Sequence, residues 1–310
     1  MSDRPTSDSP LIFDRVFDPR HGERVAVSPL VARVTANNPG PFTFHGTNTW
    51  LVGTSEVAVI DPGPDDPAHV AAILAAVGSA RVTAILVTHT HRDHSPAAAA
   101  LQAATGAPIW GEGPHRPARP LDLGEINPMD ASSQGDFRPD RVLGDGDVVS
   151  GPDWTLEAIA TPGHTANHLC FALAEEETLF TGDHVMAWST SIVAPPDGAM
   201  VDYMASLRRL MARDDRLLLP AHGAGIGEPL AFLRGLEAHR LGREAAFLEQ
   251  LEGAEKTIRE MVATIYAAVD PRLHGAAALS LFAHAEDLAA RGLVAPIEGE
   301  VRLSARWRRL

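Results

Sequence analysis

The sequence predicts an α/β architecture: a large sheet-based body followed by a small helical module. Three observations carry this. Short β-branched runs alternate with Ala- and Leu-rich helical stretches through the first two thirds of the chain. Composition then shifts to long helix-forming stretches after residue 228. At 310 residues there is enough chain for one large core and a second, smaller one. We place the body at 1–227 and the module at 228–310.

The elements follow in order. "LVARVTA" (30–36), "TNTWLVG" (47–53) and "EVAVIDPG" (56–63) read as strands bounded by turn residues. "DDPAHVAAILAAV" (65–77) reads as a helix, with acidic residues at its start and Pro67 in its first turn. "RVTAILVTH" (81–89) is a buried strand. The helix "SPAAAALQAAT" (95–105) is expected to use Ser95 as N-cap and Pro96 as its first residue. Residues 111–141 are rich in Gly, Pro, Asp and Arg without a period, so a long loop is expected, a candidate lid. Strands resume at 154–163, 167–173 and 177–183, then a helix at 200–212 and a short strand at 216–223. Helices at 228–253, 256–269 and 276–292 precede two short strands around "EGE", a winged-helix-like arrangement.

Charge narrows the partners. Net charge is −14, and residues 229–310 hold 11 basic and 11 acidic groups, so the excess lies entirely in the first 228 residues. An acidic body repels polyanions at long range, which counts against a nucleic-acid substrate. The N-terminus lacks the apolar core of a signal peptide, and no apolar run approaches the roughly 18 residues of a membrane span. Cys170 is the only cysteine, so it has no intramolecular disulfide partner, and it reads as a buried strand residue. Together these predict a cytoplasmic protein with no membrane partner.

The chemistry centres on "THTHRDHS" (88–95), which places His89, His91, Asp93 and His94 within six positions. The stretch sits on a loop between a buried strand and a helix, where α/β sheets collect ligands. Histidines two apart on a loop can converge on one ion. The adjacent Asp and His point elsewhere and suit a second. Imidazole with few carboxylates and no thiolate favours zinc, with iron and manganese as the alternatives. Three later sites share one local pattern: His164 in "TPGHT", Asp183 in "TGDHV" and His222 in "LPAHG" each follow an apolar run and lie beside glycine.

In this order, "THTHRDHS", "PGHT", "TGD" and "PAHG" resemble the metallo-β-lactamase superfamily over about residues 30–225. The resemblance implies an αββα sandwich with two metals at one edge. It implies that His89, His91 and His164 hold the first, that Asp93, His94 and His222 hold the second, and that Asp183 bridges them. Asp61 of "VIDPG" would orient the ligand loop from behind. It also implies a metal-bridging hydroxide that attacks an ester, thioester or related bond, with Asp93 orienting it and accepting its proton. The bridging aspartate is lacking in the true β-lactamases, so antibiotic hydrolysis is not the expected role. "HGTNTWLVG" (45–53), "YMASLRRL" (203–210) and "AHRLGRE" (238–244) ahead of the module resemble the β-lactamase-like protein 2 subfamily, some members of which cleave single-stranded RNA. The core is also similar to glyoxalase II thioesterases.

These readings leave two substrate classes, a small ester or thioester and single-stranded RNA. A third reading makes the module a nucleic-acid-binding regulator, and a fourth makes it structural, packing beside the site or forming a homodimer. His184 is expected behind the ligands, in a hydrogen bond or in the core. His168 reads as a strand residue, Tyr203 as helix packing and His45 as either site lining or surface. Arg240 and Arg243 are expected on a solvated or interdomain ion-pair face with Glu237 and Glu244, with phosphate contact as the alternative. Arg302, Arg306, Arg308 and Arg309 form the strongest basic cluster, either a binding patch or a balance to a neighbouring acidic surface.

Overall fold

Chain order and spatial order coincide across the first sheet. In the computed structural model, which describes residues 11–122 and 125–310, it runs β1 (Val25–Ala26), β2 (Val31–Thr35), β3 (Asn48–Val52), β4 (Glu56–Ile60), β5 (Arg81–Leu86), β6 (Ile109–Gly111) and β7 (Arg141–Val142). The start of the stretch read for an export leader lies outside the described residues. The first hairpins are antiparallel, and β4 to β7 pair in parallel. The crossovers are α1 (Pro67–Val77) and α2 (Ala97–Thr105). A second sheet is ordered β12-β11-β10-β9-β8, from β8 (Val148–Ser150), β9 (Thr155–Ala160), β10 (Leu169–Leu173), β11 (Thr178–Gly182) and β12 (Leu217–Pro220). Only its β11–β12 pair is parallel, and α3 (Met200–Met211) makes that crossover.

Alternation along the strands sets the layers. Trp50, Ile60 and Leu86 of the first sheet meet Leu156, Phe171 and Phe180 of the second in one shared core. The opposite face of the first sheet (Leu51, Val59, Ile85) covers Ile73 and Leu101 of α1 and α2. The opposite face of the second (Ile159, Cys170, Leu218) covers Tyr203, Leu207 and Leu210 of α3. The result is the αββα sandwich. Cys170 is fully buried, and burial pushes its thiol up to about 12, against a hydrogen-bond contact with Thr161. It is a strand residue with no thiolate chemistry at neutral pH.

The module comprises α4 (Pro229–Gln250), β13 (Lys256–Thr257), α5 (Ile258–Ile265), α6 (His274–Ala290), β14 (Val294–Pro296) and β15 (Arg306–Arg309). A reciprocal Thr257/Glu260 capping box starts α5. β15 pairs with both β13 and β14, so the wing has three strands, one more than the sequence predicts. Its own core gathers Phe247, Met261, Leu281 and Trp307. One helix serves two cores: Leu233 and Leu236 of α4 pack with α3, while Phe247 packs in the module. No helix among the described residues is long and apolar enough to cross a membrane.

One local expectation is corrected, and one alternative is decided. Ser95 does not cap α2: the helix begins at Ala97 after Pro96, without a side-chain cap, and Ser95 Oγ instead bonds the His91 carbonyl and Gln134 Oε1. The tight ligand loop claims that hydroxyl first. The C-terminal basic cluster is largely neutralised, because Arg302 pairs with Glu300, Arg306 with Glu260 and Arg309 with Glu252.

α6 also carries a pH liability. His284 is 2% exposed, and both ring nitrogens lack partners among the described residues. Burial, then Arg240 and His239, push its pKa down to about 3. Above pH 6.5 the ring is neutral in both folded and unfolded chains and has no effect on stability. Between 6.5 and 3 only the unfolded chain takes the proton, so stability falls as pH falls. Urea titrations should show a loss of about 2–3 kcal/mol from this group between pH 7 and 4.5. His284→Leu should flatten that part of the profile; an unchanged slope would reject the assignment.

Candidate metal centre

The carboxyl ends of β5, β9, β11 and β12 meet at one edge of the sandwich, and each delivers one of the sequence motifs. All seven candidate ligands come together there. The ligand atoms of His89, His91, His164 and Asp183 form one group, and those of Asp93, His94 and His222 a second, each within 4.8 Å. In the first, His91 Nδ1 lies 3.0 Å from His89 Nε2 and 3.1 Å from His164 Nε2. In the second, Asp93 Oδ2 lies 3.3 Å from His94 Nε2 and 3.2 Å from His222 Nε2. Asp183 faces both: its Oδ2 is 3.6 Å from His164 Nε2 and 3.6 Å from His94 Nε2, and its Oδ1 is 3.3 Å from His222 Nε2.

The outer hydrogen bonds set the tautomers. His94 Nδ1 donates to Asp61 Oδ2 at 2.9 Å, His164 Nδ1 to the Ile192 carbonyl at 2.6 Å and His222 Nδ1 to the Gly46 carbonyl at 3.2 Å. Thr88 spends its only hydroxyl proton on Asp61 Oδ2 at 2.7 Å, so it accepts from His89 Nδ1 at 3.0 Å. Each of these four rings therefore turns an Nε2 lone pair inward, the arrangement metal-binding histidines adopt. Asp61 also accepts from the Thr88 amide at 2.8 Å, and its own backbone takes a left-handed φ of 50° to reach under the loop.

This donor set fits cations. His94 Nε2, His222 Nε2 and Asp183 Oδ1 are buried without a hydrogen-bond partner, although opposing atoms lie close by. His91 Nδ1 has two other imidazole nitrogens 3.0 and 3.1 Å away, and shared protons cannot satisfy all three. Electrostatics agree. Burial works against charge on Asp93 and Asp183, but the neighbouring His94 and His222 hold both carboxyls well below the usual range. Burial also disfavours charge on His222, yet Asp183 and Asp93 push it up to about 10; His94 is raised likewise. Two buried carboxylates demand positive charge, and protons on these two rings supply it where metal ions would.

His168 touches the centre through a contact that the sequence reading missed. Its Nδ1 faces Thr161 Oγ1 at 2.8 Å, and its Nε2 accepts the Asp183 amide at 3.2 Å. Burial and the nearby His184 and His164 keep its pKa well below the usual value, so Nε2 stays free to accept. Its place four residues after His164 is the only signal in the sequence, and one indistinguishable from a strand histidine. His168→Leu should weaken zinc retention about 10–100-fold in a chelator competition; wild-type retention would make the contact merely structural.

The other candidates separate. His184 takes the core alternative: its ring nitrogens have no partner among the described residues, its ring packs 4.7 Å from Tyr203, and its carbonyl lies 2.8 Å from Ser191 Oγ. Tyr203 is fully buried and donates to that same carbonyl, so it is packing. His45 stacks on Phe17 and lies tilted against Phe44, outside both clusters. The 111–141 loop braces the ligand loop: the Gln134 amide bonds the Thr90 carbonyl, and His115 links Thr90 Oγ1 to Asp197. Arg119 ties the loop to Glu286 on α6.

A four-layer sandwich with clustered histidines and carboxylates at its strand ends defines a class, the metal-binding hydrolases. The chain belongs to the metallo-β-lactamase superfamily, whose family description matches residues 42–222, and residues 257–307 match the beta-lactamase associated winged helix domain. It is a hydrolase of that superfamily. An atrochrysone carboxyl ACP thioesterase of Cryptosporiopsis sp. is 32% identical over 241 residues, covering 76% of this chain and 67% of that protein. One from Aspergillus terreus is 32% identical over 266 residues, covering 80% and 75%. Among solved structures, a metallo-beta-lactamase family protein from Thermus thermophilus shares the fold at a TM-score of 0.74 and 23% identity, covering 92% of this chain and all of that one. A beta-lactamase domain protein from Burkholderia ambifaria does so at 0.76 and 20%, covering 94% and 95%.

Proposed function

We propose that this protein is a binuclear metal-dependent hydrolase of thioesters. The observation that carries the reading is the Asp183 carboxylate, whose Oδ2 lies 3.6 Å from His164 of one cluster and 3.6 Å from His94 of the other, with Oδ1 3.3 Å from His222. His89, His91 and His164 would hold one cation, Asp93, His94 and His222 the other, and Asp183 both. Zinc suits the imidazole-rich set; iron and manganese are the alternatives. Two such cations, when bound, acidify water and polarise a carbonyl oxygen.

The chain's own groups do the rest. Asp61 and Thr88 lock the ligand loop. Asp93 is the most solvent-accessible ligand candidate, its side chain 26% exposed. Being held well below the usual carboxylate range, it orients water at Oδ2 and does not retain a proton at neutral pH. The thioester class comes from the two thioesterases to which the chain is similar. Residues 1–227 are proposed as the catalytic body and 228–310 as the winged-helix module, in the cytoplasm.

The test is a side-by-side assay of zinc-loaded protein on an acyl-pantetheine thioester and on labelled single-stranded RNA. Thioester turnover without RNA cleavage is expected, because the body is acidic and three of the four terminal arginines are already paired. RNA cleavage alone would overturn the substrate class and leave the metal centre standing.

A further inference from the structure

A cavity of about 290 Å³ lies between the 186–192 segment of the body and helices α4 and α6 of the module. Phe42, Trp188 and Tyr266 give it apolar walls; Arg240 and Arg243 give it charge. Arg240 is 2% exposed. One of its amino groups donates to the Ser191 carbonyl, and its guanidinium lies 4.8 Å over Tyr203. Arg243 bonds the Ile265 carbonyl at 2.8 Å and lies 4.5 Å over Tyr266. The Nε of each is buried without a partner.

The expected ion-pair face is not formed. Glu237 pairs with Arg208 and Glu244 with Arg291, both at 2.6 Å, which leaves Arg240 and Arg243 with no carboxylate among the described residues. Two adjacent guanidiniums, one fully buried, are costly to leave uncompensated. Their field is felt nearby: burial, then Arg240 and Arg243, push His239 down to about 4. The same wall backs the metal centre. Ile192 accepts from His164 Nδ1, and Ser191 Oγ donates to the Asp183 carbonyl at 2.6 Å.

We infer that this cavity is an anion subsite of the substrate pocket, in which Arg240 and Arg243 receive an oxyanion of the substrate. Forked guanidiniums beside aromatic walls suit a carboxylate or a phosphate flanked by apolar groups. In a thioester, the carboxylate would sit on the acyl group and the phosphate on the thiol arm. The inference rests on the thioester reading above, so its test includes a measurement that needs no turnover.

Calorimetry of the full chain with glutarate and with inorganic phosphate is that measurement. At least one should bind, and Arg243→Gln should weaken it about tenfold. Arg240→Lys, which keeps the charge and loses the fork, should weaken it too. Glutarate binding alone assigns the acyl carboxylate, and phosphate binding alone the thiol arm. Kinetics then compare kcat/KM for glutaryl- against pentanoyl-pantetheine, and for acyl-phosphopantetheine against acyl-pantetheine. The anionic member of one pair should be preferred, and Arg243→Gln should erase about tenfold of that preference. Binding and selectivity indifferent to both substitutions overturn the subsite. Absent turnover of every thioester overturns the thioester reading alone, and calorimetry still decides the subsite.

Discussion

Asp183→Ala should reduce kcat/KM on the order of 10³-fold or more and lower bound zinc from two ions per chain to one or fewer. The carboxylate is the side chain that faces both histidine clusters, at 3.3–3.6 Å. Its removal takes away a ligand of each proposed cation, one of the three carboxylates that raise His94 and one of the two that raise His222. Asp183→Asn keeps the shape and loses the charge, so it should fall between. Plasma emission spectrometry on desalted protein, beside steady-state kinetics, reads both quantities. Wild-type turnover in Asp183→Ala would sink the bridged two-cation reading, whatever the substrate.

Gly163→Ala should destabilise the fold by about 3–5 kcal/mol and cost activity on the order of 100-fold. Gly163 has a φ of 140°, and a Cβ there would lie 2.3 Å from the Cα and 2.5 Å from the N of Tyr203. Those are backbone atoms of α3 and cannot rotate aside. The Gly163 carbonyl also accepts from the Ala199 amide at 3.1 Å, so relief of the clash moves both the helix start and the neighbouring His164. Gly242→Ala is the contrast: it lies on an exposed face of α4 with nothing within 4 Å of a new Cβ, and should stabilise by about 0.5–1 kcal/mol. Urea midpoints of the two variants separate steric damage at the centre from the substitution itself. A wild-type midpoint in Gly163→Ala would show that α3 yields easily, against the packing described.

What the sequence by itself determined is local. The ligand candidates were legible because each rides on a short motif at a strand end, where a buried run stops and a glycine or a loop begins. The longer strands were legible from their β-branched runs; β1, β6, β7 and β8, of two or three residues each, were not. The α4 stretch was legible from its length and Pro229. All of these signals lie within a few residues of the feature they announce.

The tertiary structure decided which distant groups meet. His168 became a positioning residue because β10 and β11 pair and bring it under the Asp183 amide, 15 residues on. Ser95 lost its capping role because the loop returning through Gln134 crossed its path. Arg240 and Arg243 lost their expected partners because Glu237 and Glu244 reach outward to Arg208 and Arg291, while the arginines turn inward to Ser191 and Ile265. A side chain's neighbours along a helix are given by spacing, but its partner is chosen by burial and by whichever donor or acceptor the opposing element leaves unsatisfied. That choice exists only once the layers are packed.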